Sequence, residues 1–301
     1  MQPGIIGQRV NEILAPFGRK FAPDPASVKS AMVGGIVMNN ASGMNCGTHA
    51  NSDKVLLSAR IVFADGTILN TGDTAERNAF AKSHADFIAR ICAIRDQVRQ
   101  NEALASRIRY KYSIKNVTGL NILPFVAFDD PFDIIAHLMV GSEGTLAFLS
   151  EVTMKTQYDY PYKASAMLYF KDIKEACRAV VAMKELLTPA GETVVKGAEL
   201  LDCKSLASVK MSTTRWFQLK SPLAHTANPR TLTQIEELNA NILTIEKTLQ
   251  DFDLFIPAHF TDKPEEYSKY WAIRAGIFPS VGGTRPLGTT CLIEDVAFHI
   301  E

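Results

Sequence analysis

The chain has 301 residues, 47% of them hydrophobic, and equal numbers of acidic and basic side chains, so its formal net charge is zero. This composition is typical of a soluble globular protein with one large domain or two smaller ones. The neutral balance argues against a nucleic-acid partner, because no basic excess is available to neutralise phosphates. No apolar run approaches the roughly 20 residues of a membrane span. We therefore expect a cytoplasmic protein, with peripheral attachment to the inner face of the cytoplasmic membrane left open.

The first half of the chain alternates short predicted helices, strands and glycine-rich stretches. A helix ends at residues 10–14 because Pro16 and Gly18 follow it. Residues 60–69 predict a hairpin with a two-residue turn at Asp65-Gly66. Apolar residues at helical spacing predict one amphipathic helix from Phe80 to Val98. The apolar runs 138–140 and 146–149 predict two short buried strands.

The composition changes at residues 158–162, which indicates a domain boundary there. Beyond it, strand and helix patterns alternate, which favours helices packed on one face of an antiparallel sheet. The predicted strands are 166–170, 193–201, 254–256 and 290–293, and the predicted helices are 173–183 and 235–249. Residues 211–231 carry basic residues and two prolines without a clean apolar strand, so we expect an irregular or exposed segment.

Two stretches of small and polar residues, Gly34–Gly43 and Gly141–Leu146, are the strongest functional signal. Small residues let a backbone come close to a bulky ligand, so two such stretches predict two loops that close on one large cofactor. Neither the GxGxxG dinucleotide fingerprint nor the GxxxxGK[ST] phosphate loop is present. The alternative is that each stretch is a plain turn, which the Asn-Asn-Ala-Ser insert makes the less favoured interpretation.

Metal binding is not indicated. The five cysteines are scattered without a CxxC pair, and none of the six histidines forms a metal-spaced pair. The pattern fits a reducing compartment, with the cysteines as small buried residues. His49, near the first glycine stretch, is the histidine to test for contact with a cofactor ring.

Ordered motifs resemble the FAD-binding domain of the p-cresol methylhydroxylase / vanillyl-alcohol oxidase superfamily. They are Pro23-Asp-Pro-Ala-Ser27, the two glycine stretches, Val62-Phe-Ala-Asp-Gly-Thr67 and Glu151-Val-Thr153. Tyr270–Pro279 and Gly288–Val296 resemble the cap domain of FAD-linked 2-hydroxyacid dehydrogenases. The segment Arg109–Gly119 is similar to a loop of the bacterial respiratory D-lactate dehydrogenases, which join FAD and iron–sulfur modules.

The resemblance implies an α+β fold in two parts. Residues 1–160 would be an FAD-binding domain that lacks its N-terminal part, and residues 161–301 a truncated ferredoxin-like cap. A first set of residues would run along FAD and a second would form another wall near its adenosine and ribityl parts. The first set is Pro25, Ser27, Gly34, Gly35, Asn39, Asn40, Ser42, Gly43 and Asn51. The second set is Gly144 and Val152.

The resemblance also implies the substrate residues. Arg274 would bind the substrate carboxylate bidentately, although spacing alone makes an exposed helix arginine the more ordinary interpretation. Arg285 is a weaker candidate. For Glu294 and Asp295, a place in the site and a place on the surface are equally favoured alternatives.

The implied reaction is hydride transfer to FAD from a D-2-hydroxyacid, with D-lactate favoured. Electrons would pass to a quinone or cytochrome through an iron–sulfur cluster that only a full-length form would carry. Alternatives are a D-2-hydroxyglutarate dehydrogenase and a non-catalytic remnant or binding module. We expect the chain to be the middle portion of such an enzyme, because the family's pyrophosphate loop would precede residue 1 and its histidine segment would follow residue 301. We therefore expect weak or no FAD retention.

Overall fold

The computed structural model of the chain describes residues 1–43, 49–116, 119–201, 217–222, 233–272, 276 and 286–289. The chain divides into two compact units, Met1–Asp159 and Tyr160–Glu301. The division falls within the stretch 158–162, where the composition changes. The domain types assigned to the two parts stay a prediction.

The first unit contains two small antiparallel sheets. β1 (Arg19–Phe21) pairs with β5 (Thr156–Tyr158), and β2 (Leu56–Val62) lies between β3 (Ile68–Asn70) and β4 (Phe148–Met154). The predicted hairpin is thus confirmed as β2–β3.

The hairpin turn differs from the predicted two-residue turn. Phe63 and Thr67 close a three-residue loop in which the Gly66 N–H donates to the Phe63 carbonyl at 2.9 Å. Gly66 has φ +85°, which is the left-handed position of such a loop.

Helices complete the first unit, and their apolar faces enclose the β2 sheet. Its main core includes Ile36 and Val37, Ala59 and Ile61, and Ile134 and Ile135, all buried. The helices are α1 (Gly7–Leu14), α2 (Val33–Met38), α3 (Ser52–Val55), α4 (Thr74–Ser83), α5 (Ala85–Gln100), α6 (Glu102–Lys111), α7 (Pro124–Ala127) and α8 (Pro131–Leu138). α1 ends at Leu14, as Pro16 and Gly18 predict, and a short 3₁₀ turn, Ala15–Phe17, follows it.

The predicted strand at residues 138–140 is wrong, because α8 occupies this part of the chain and residues 139–140 turn away from its end. Asp130 caps α8 by accepting the Phe132 N–H at 2.7 Å, and Pro131 occupies its first position. This Asp-Pro start is a helix signal. The strand predicted at 146–149 begins at Phe148, as β4.

The single helix predicted from Phe80 to Val98 is two helices, α4 and α5. The break is His84, whose backbone leaves the helical region at φ −126° and ψ 42°. Ser83 Oγ donates to the Ala79 carbonyl at 3.0 Å, a side-chain bond that competes with helix continuation. Apolar periodicity runs through this break because both helices face the same core.

The second unit has the element order β-α-β-β-α-β of a ferredoxin-like fold. These elements are β6 (Ser165–Phe170), α9 (Ile173–Lys184), β7 (Glu199–Leu201), β8 (Phe217–Pro222), α10 (Thr233–Leu249) and β9 (Phe260–Thr261). The sheet is antiparallel, in the order β7-β8-β6-β9. Ala166, Leu168 and Phe170 share one face of β6 and pack with both helices. The predicted α+β architecture is confirmed.

Two predictions in this unit need correction. Residues 211–231 include β8, which pairs with β6 and β7. Phe217 and Leu219 alternate with Gln218 and Lys220, a strand period hidden by its charged and proline-containing surroundings. The predicted strand 193–201 shrinks to β7 because Gly197 interrupts it.

The strand predicted at 254–256 is reduced to an isolated bridge between Leu254 and Phe170. The strand predicted at 290–293 lies outside the described residues.

Candidate functional site

The first glycine stretch begins as a helix and not as the predicted loop. Gly34 and Gly35 are the second and third residues of α2, whose Val33, Ile36 and Val37 are buried. Asn39 ends the helix, and Asn40 follows with φ +52°. The chain then continues as an irregular segment through Gly43.

The second glycine stretch lies directly against the C-terminal end of α2. The Glu143 N–H donates to the Met38 carbonyl at 2.9 Å. In return, Asn39 Nδ2 donates to Glu143 Oε1 at 2.6 Å. Residues about one hundred positions apart therefore form one surface, as the sequence predicts.

This surface depends on unusual backbone conformations. Asn40 and Glu143 are the described non-glycine residues with positive φ, both at +52°, and Gly141 and Gly144 lie at +83° and +73°. Such residues concentrate at turns and functional sites.

Glycine is required at positions in the two stretches for different physical reasons. A Cβ on Gly34 would lie 2.7 Å from Pro3 Cβ, and one on Gly43 would lie 1.7 Å from the Asp24 carbonyl oxygen. Gly144 is explained by its positive φ. Gly35 is exposed, lies inside a helix and would place a Cβ in open space. Since glycine inside a helix is destabilising relative to alanine, Gly35 is the glycine left for close approach of a ligand.

A third part of the chain, residues 113–116 and 119–121, borders the same surface. Asn40 Nδ2 approaches the Asn116 carbonyl oxygen at 3.5 Å, and a Cβ on Gly141 would lie 3.6 Å from the Gly119 carbonyl oxygen. This part of the chain carries a family resemblance in the sequence, but none of its residues is among the predicted site residues.

Polar atoms beneath this surface fit a large ligand with many hydrogen-bonding groups. Ser42 Oγ is enclosed and has no hydrogen-bond partner. Ser52 Oγ and Asp53 Oδ1, which sequence reasoning missed, are in the same state. The Asp53 N–H donates to Asn40 Oδ1 at 3.2 Å and so ties these residues to the first stretch. Buried polar atoms ordinarily have partners, so an open glycine face with orphaned oxygens fits FAD, which is rich in donors and acceptors.

The other sequence-predicted residues are spread around this surface. Pro25 and Asn51 are buried and Ser27 is exposed in the turn before α2. The Val152 side chain lies in the core, with 1% exposure, and its carbonyl and N–H bond to Met1. His49 is exposed. Arg274, Arg285, Glu294 and Asp295 lie outside the described residues.

His137 is a buried titratable group of the first unit, within reach of the Asp53 charge. Its ring stacks on Phe128 with centroids 4.1 Å apart, and Nδ1 lies 2.8 Å from the Asp133 carbonyl oxygen. Burial lowers the pKa of His137 below its usual value, although Asp133 and Asp53 oppose this shift. The imidazole is therefore held neutral.

An open depression of about 450 Å³ beside the α4–α5 break shares no residue with the glycine stretches. Lys82, His84 and Arg90 line it, and we do not assign the site there. In the described ranges, no three His, Cys, Asp or Glu side chains cluster closely enough to hold a metal ion. None of the helices that the structure describes is long and apolar enough to cross a membrane.

Comparison with known families identifies the cofactor. Residues 1–72 match the FAD binding domain family, a range that contains the first glycine stretch, Ser52 and Asp53. FAD is thus the cofactor of the matched domain type. The predicted presence of an FAD-binding domain is thus confirmed over residues 1–72.

Three curated relatives are similar to parts of the chain. D-2-hydroxyglutarate dehydrogenase of Haemophilus influenzae is 25% identical over 211 residues, which cover 64% of this chain and 19% of the relative. The glycolate oxidase subunit GlcD of Escherichia coli is 23% identical over 292 residues, which cover 95% of this chain and 45% of the relative. D-lactate dehydrogenase of Archaeoglobus fulgidus is 23% identical over 186 residues, which cover 62% of this chain and 30% of the relative. The chain therefore spans less than half the length of each.

A solved structure of alkyldihydroxyacetonephosphate synthase has the same fold. It aligns with a TM-score of 0.53 and 15% identity over 94% of this chain and 42% of that one. At this identity the likeness shows the fold alone.

Proposed function

Starting from an FAD-binding domain over residues 1–72, we propose that the chain is part of a flavoenzyme that oxidises a D-2-hydroxyacid to the 2-oxoacid. D-lactate is the substrate that the sequence motifs favour. We further propose that the whole protein includes an iron–sulfur module, which passes electrons to a quinone or cytochrome. Peripheral attachment to the inner face of the membrane belongs to the same proposal.

The observation that carries the proposal is the exposed face of α2 at Gly35. Apart from its own helix backbone and chain neighbours, no described atom lies within 4 Å of the position of its missing Cβ, although alanine would favour the helix there. Asn39, one turn further along the same face, is bonded to Glu143 of the second stretch. A planar ring system or an extended phosphate ester could approach the helix backbone closely at this face.

In this proposal each predicted site residue has a role. FAD, when bound, supplies the hydride acceptor. The two glycine stretches hold the cofactor, and Arg274 binds the substrate carboxylate, with Arg285 as the weaker candidate. Oxidation breaks the C2–H bond with its electron pair and moves the hydroxyl proton to a base.

The cofactor is tested by titrating the purified chain with FAD and following quenching of flavin fluorescence. We expect weak saturable binding, and Gly35→Ala should weaken it about tenfold because its methyl group occupies the contact face. Thermal unfolding of the apoprotein is the control, since Gly35→Ala should leave the helix as stable or more stable. Absence of flavin binding at millimolar FAD would favour the non-catalytic alternative.

A second substrate, D-2-hydroxyglutarate, is favoured by the name of the Haemophilus influenzae relative. It differs from D-lactate by a distal carboxylate, which requires a second cationic partner in the site. Single-turnover flavin bleaching of the whole protein with D-lactate, D-2-hydroxyglutarate and glycolate distinguishes these substrates. Bleaching by none of them would contradict the proposed activity.

A further inference from the structure

Ser52 and Asp53 form a buried polar pair with hydrogen-bonding capacity that the described protein atoms leave unused. Ser52 is fully buried, and the Asp53 side chain is only 6% exposed. Asp53 Oδ2 lies 3.0 Å from Lys54 Nζ, whereas Asp53 Oδ1 and Ser52 Oγ are enclosed without a partner. Each such atom destabilises the folded protein, so the pair is explained best by a ligand that completes its hydrogen bonds.

The pair is connected to the glycine surface through Asn40. The Asp53 N–H donates to Asn40 Oδ1, and Asn40 is itself only 4% exposed. Two residues beyond Asn40, Ser42 contributes a third enclosed oxygen without a partner, its hydroxyl Oγ. The unpaired groups are side-chain oxygens, and the backbone N–H groups of the short helix α3 are not among them.

The chemistry of these atoms selects one class of ligand group. A carboxylate oxygen only accepts hydrogen bonds, so the group that meets Asp53 Oδ1 must carry an O–H or N–H. A phosphate is negatively charged like the Asp53 carboxylate, so the carboxylate would repel it at hydrogen-bonding distance. Serine hydroxyls donate or accept, and therefore suit a polyol.

We infer that Ser52 and Asp53 bind an uncharged, hydroxyl-bearing part of the cofactor, either the ribityl chain or the adenosine ribose of FAD, and not its phosphates. The inference rests on the proposed function, since it takes FAD as the ligand. It assigns a binding role to two residues outside the glycine motifs. It also orients the cofactor, because the phosphates must lie away from Asp53.

Ser52→Ala separates a binding role from a structural one in the full 301-residue chain. If the hydroxyl binds FAD, the dissociation constant rises about 3- to 10-fold, while the apoprotein unfolds at the same or a higher temperature because an orphaned hydroxyl is gone. Asp53→Asn should weaken binding about tenfold, because a charge-assisted hydrogen bond is lost. Ser165→Ala is the matched control, since Ser165 in β6 is equally buried and its hydroxyl equally lacks a partner.

Competition with riboflavin, ADP and inorganic pyrophosphate identifies the part of FAD involved. A loss of riboflavin affinity in both variants supports contact with the ribityl chain, and a loss of ADP affinity alone supports contact with the ribose. A change in pyrophosphate affinity would overturn the assignment. Unchanged FAD affinity in Ser52→Ala and Asp53→Asn would overturn the inference and leave the proposed function standing, whereas a native chain that binds no flavin would overturn both.

Discussion

The neutral state of His137 couples the stability of the first unit to pH. Its pKa is lowered from 6.5, chiefly by burial. The unfolded chain therefore takes up a proton at a higher pH than the folded chain does. As the pH falls below 6.5, protonation of the unfolded state removes stability until the folded pKa is reached.

His137→Phe tests this coupling, because phenylalanine keeps the stack on Phe128 and cannot titrate. In the native chain, titration of His137 should lower the free energy of unfolding by up to about 1.4 kcal/mol for each pH unit below 6.5. Urea unfolding at pH 7, 6 and 5 should show a shallower pH dependence in the variant. Identical slopes would contradict the role of His137, since all other titrating groups are common to both chains.

Arg274 carries the proposed binding of the substrate carboxylate. In the whole protein, Arg274→Ala should raise the substrate KM about a hundredfold, because two charge-assisted hydrogen bonds are lost. FAD content, read from the visible absorbance, should not change. Arg274→Lys should recover only part of the loss, since an ammonium cannot form the two-pronged contact. Unaltered kinetics in Arg274→Ala would remove this residue from the site.

At the level of elements, Arg99 holds the segment between α7 and α8. From α5, its guanidinium donates to the carbonyl oxygens of Phe125 at 3.0 Å and Phe128 at 2.7 Å, and it also bonds to the Asp129 carboxylate. These carbonyls lie at the C-terminal end of α7, where no helical partner is available. Because α8 leads into Gly141, this contact supports the second glycine stretch.

Arg99→Met should destabilise the first unit by about 2–3 kcal/mol, since it leaves buried or half-buried carbonyls without donors. Arg109→Met is the matched control. Arg109 forms an exposed ion pair with Glu102 at 3.3 Å, and such pairs contribute about 0–1 kcal/mol. Denaturant unfolding followed by circular dichroism measures both. Equal effects of the two substitutions would mean that Arg99 is an ordinary surface residue.

Periodicity in the sequence predicted the elements that bury one clear face. β2–β3, β6, α9 and α10 were found this way because alternation or helical spacing is unbroken in them. The break at His84 and the helix α2 were not found. In α2 two glycines suggest a loop, and only burial of Ile36 and Val37 in the tertiary structure stabilises the helix.

The site was predictable to the extent that it depends on small residues. The two glycine stretches do meet, but the contacts that join them come from Glu143, a non-glycine residue at positive φ whose conformation no local pattern reveals. Ser52 and Asp53 are equally hidden, because a buried polar pair has the same sequence signature as an exposed helix start.

For the whole molecule, the proposed chemistry is divided between distant parts of the chain. The described cofactor residues all belong to the first unit, and the proposed substrate arginines fall in residues 160–301. Within the first unit, the stretches 34–43 and 141–146 are joined by the Glu143 N–H bond to Met38 and the Asn39 side-chain bond to Glu143. A ligand that orders one stretch should therefore order the other.

Hydrogen–deuterium exchange with and without FAD tests this coupling in the intact chain. Because ligand binding suppresses local opening, FAD should slow exchange in peptides that cover 34–43 and in those that cover 141–146, with the same FAD concentration dependence. Peptides from α9 provide the internal reference, since α9 packs into the separate core of the second unit. Protection confined to one stretch would contradict a shared ligand surface, and protection confined to α9 would place FAD binding elsewhere.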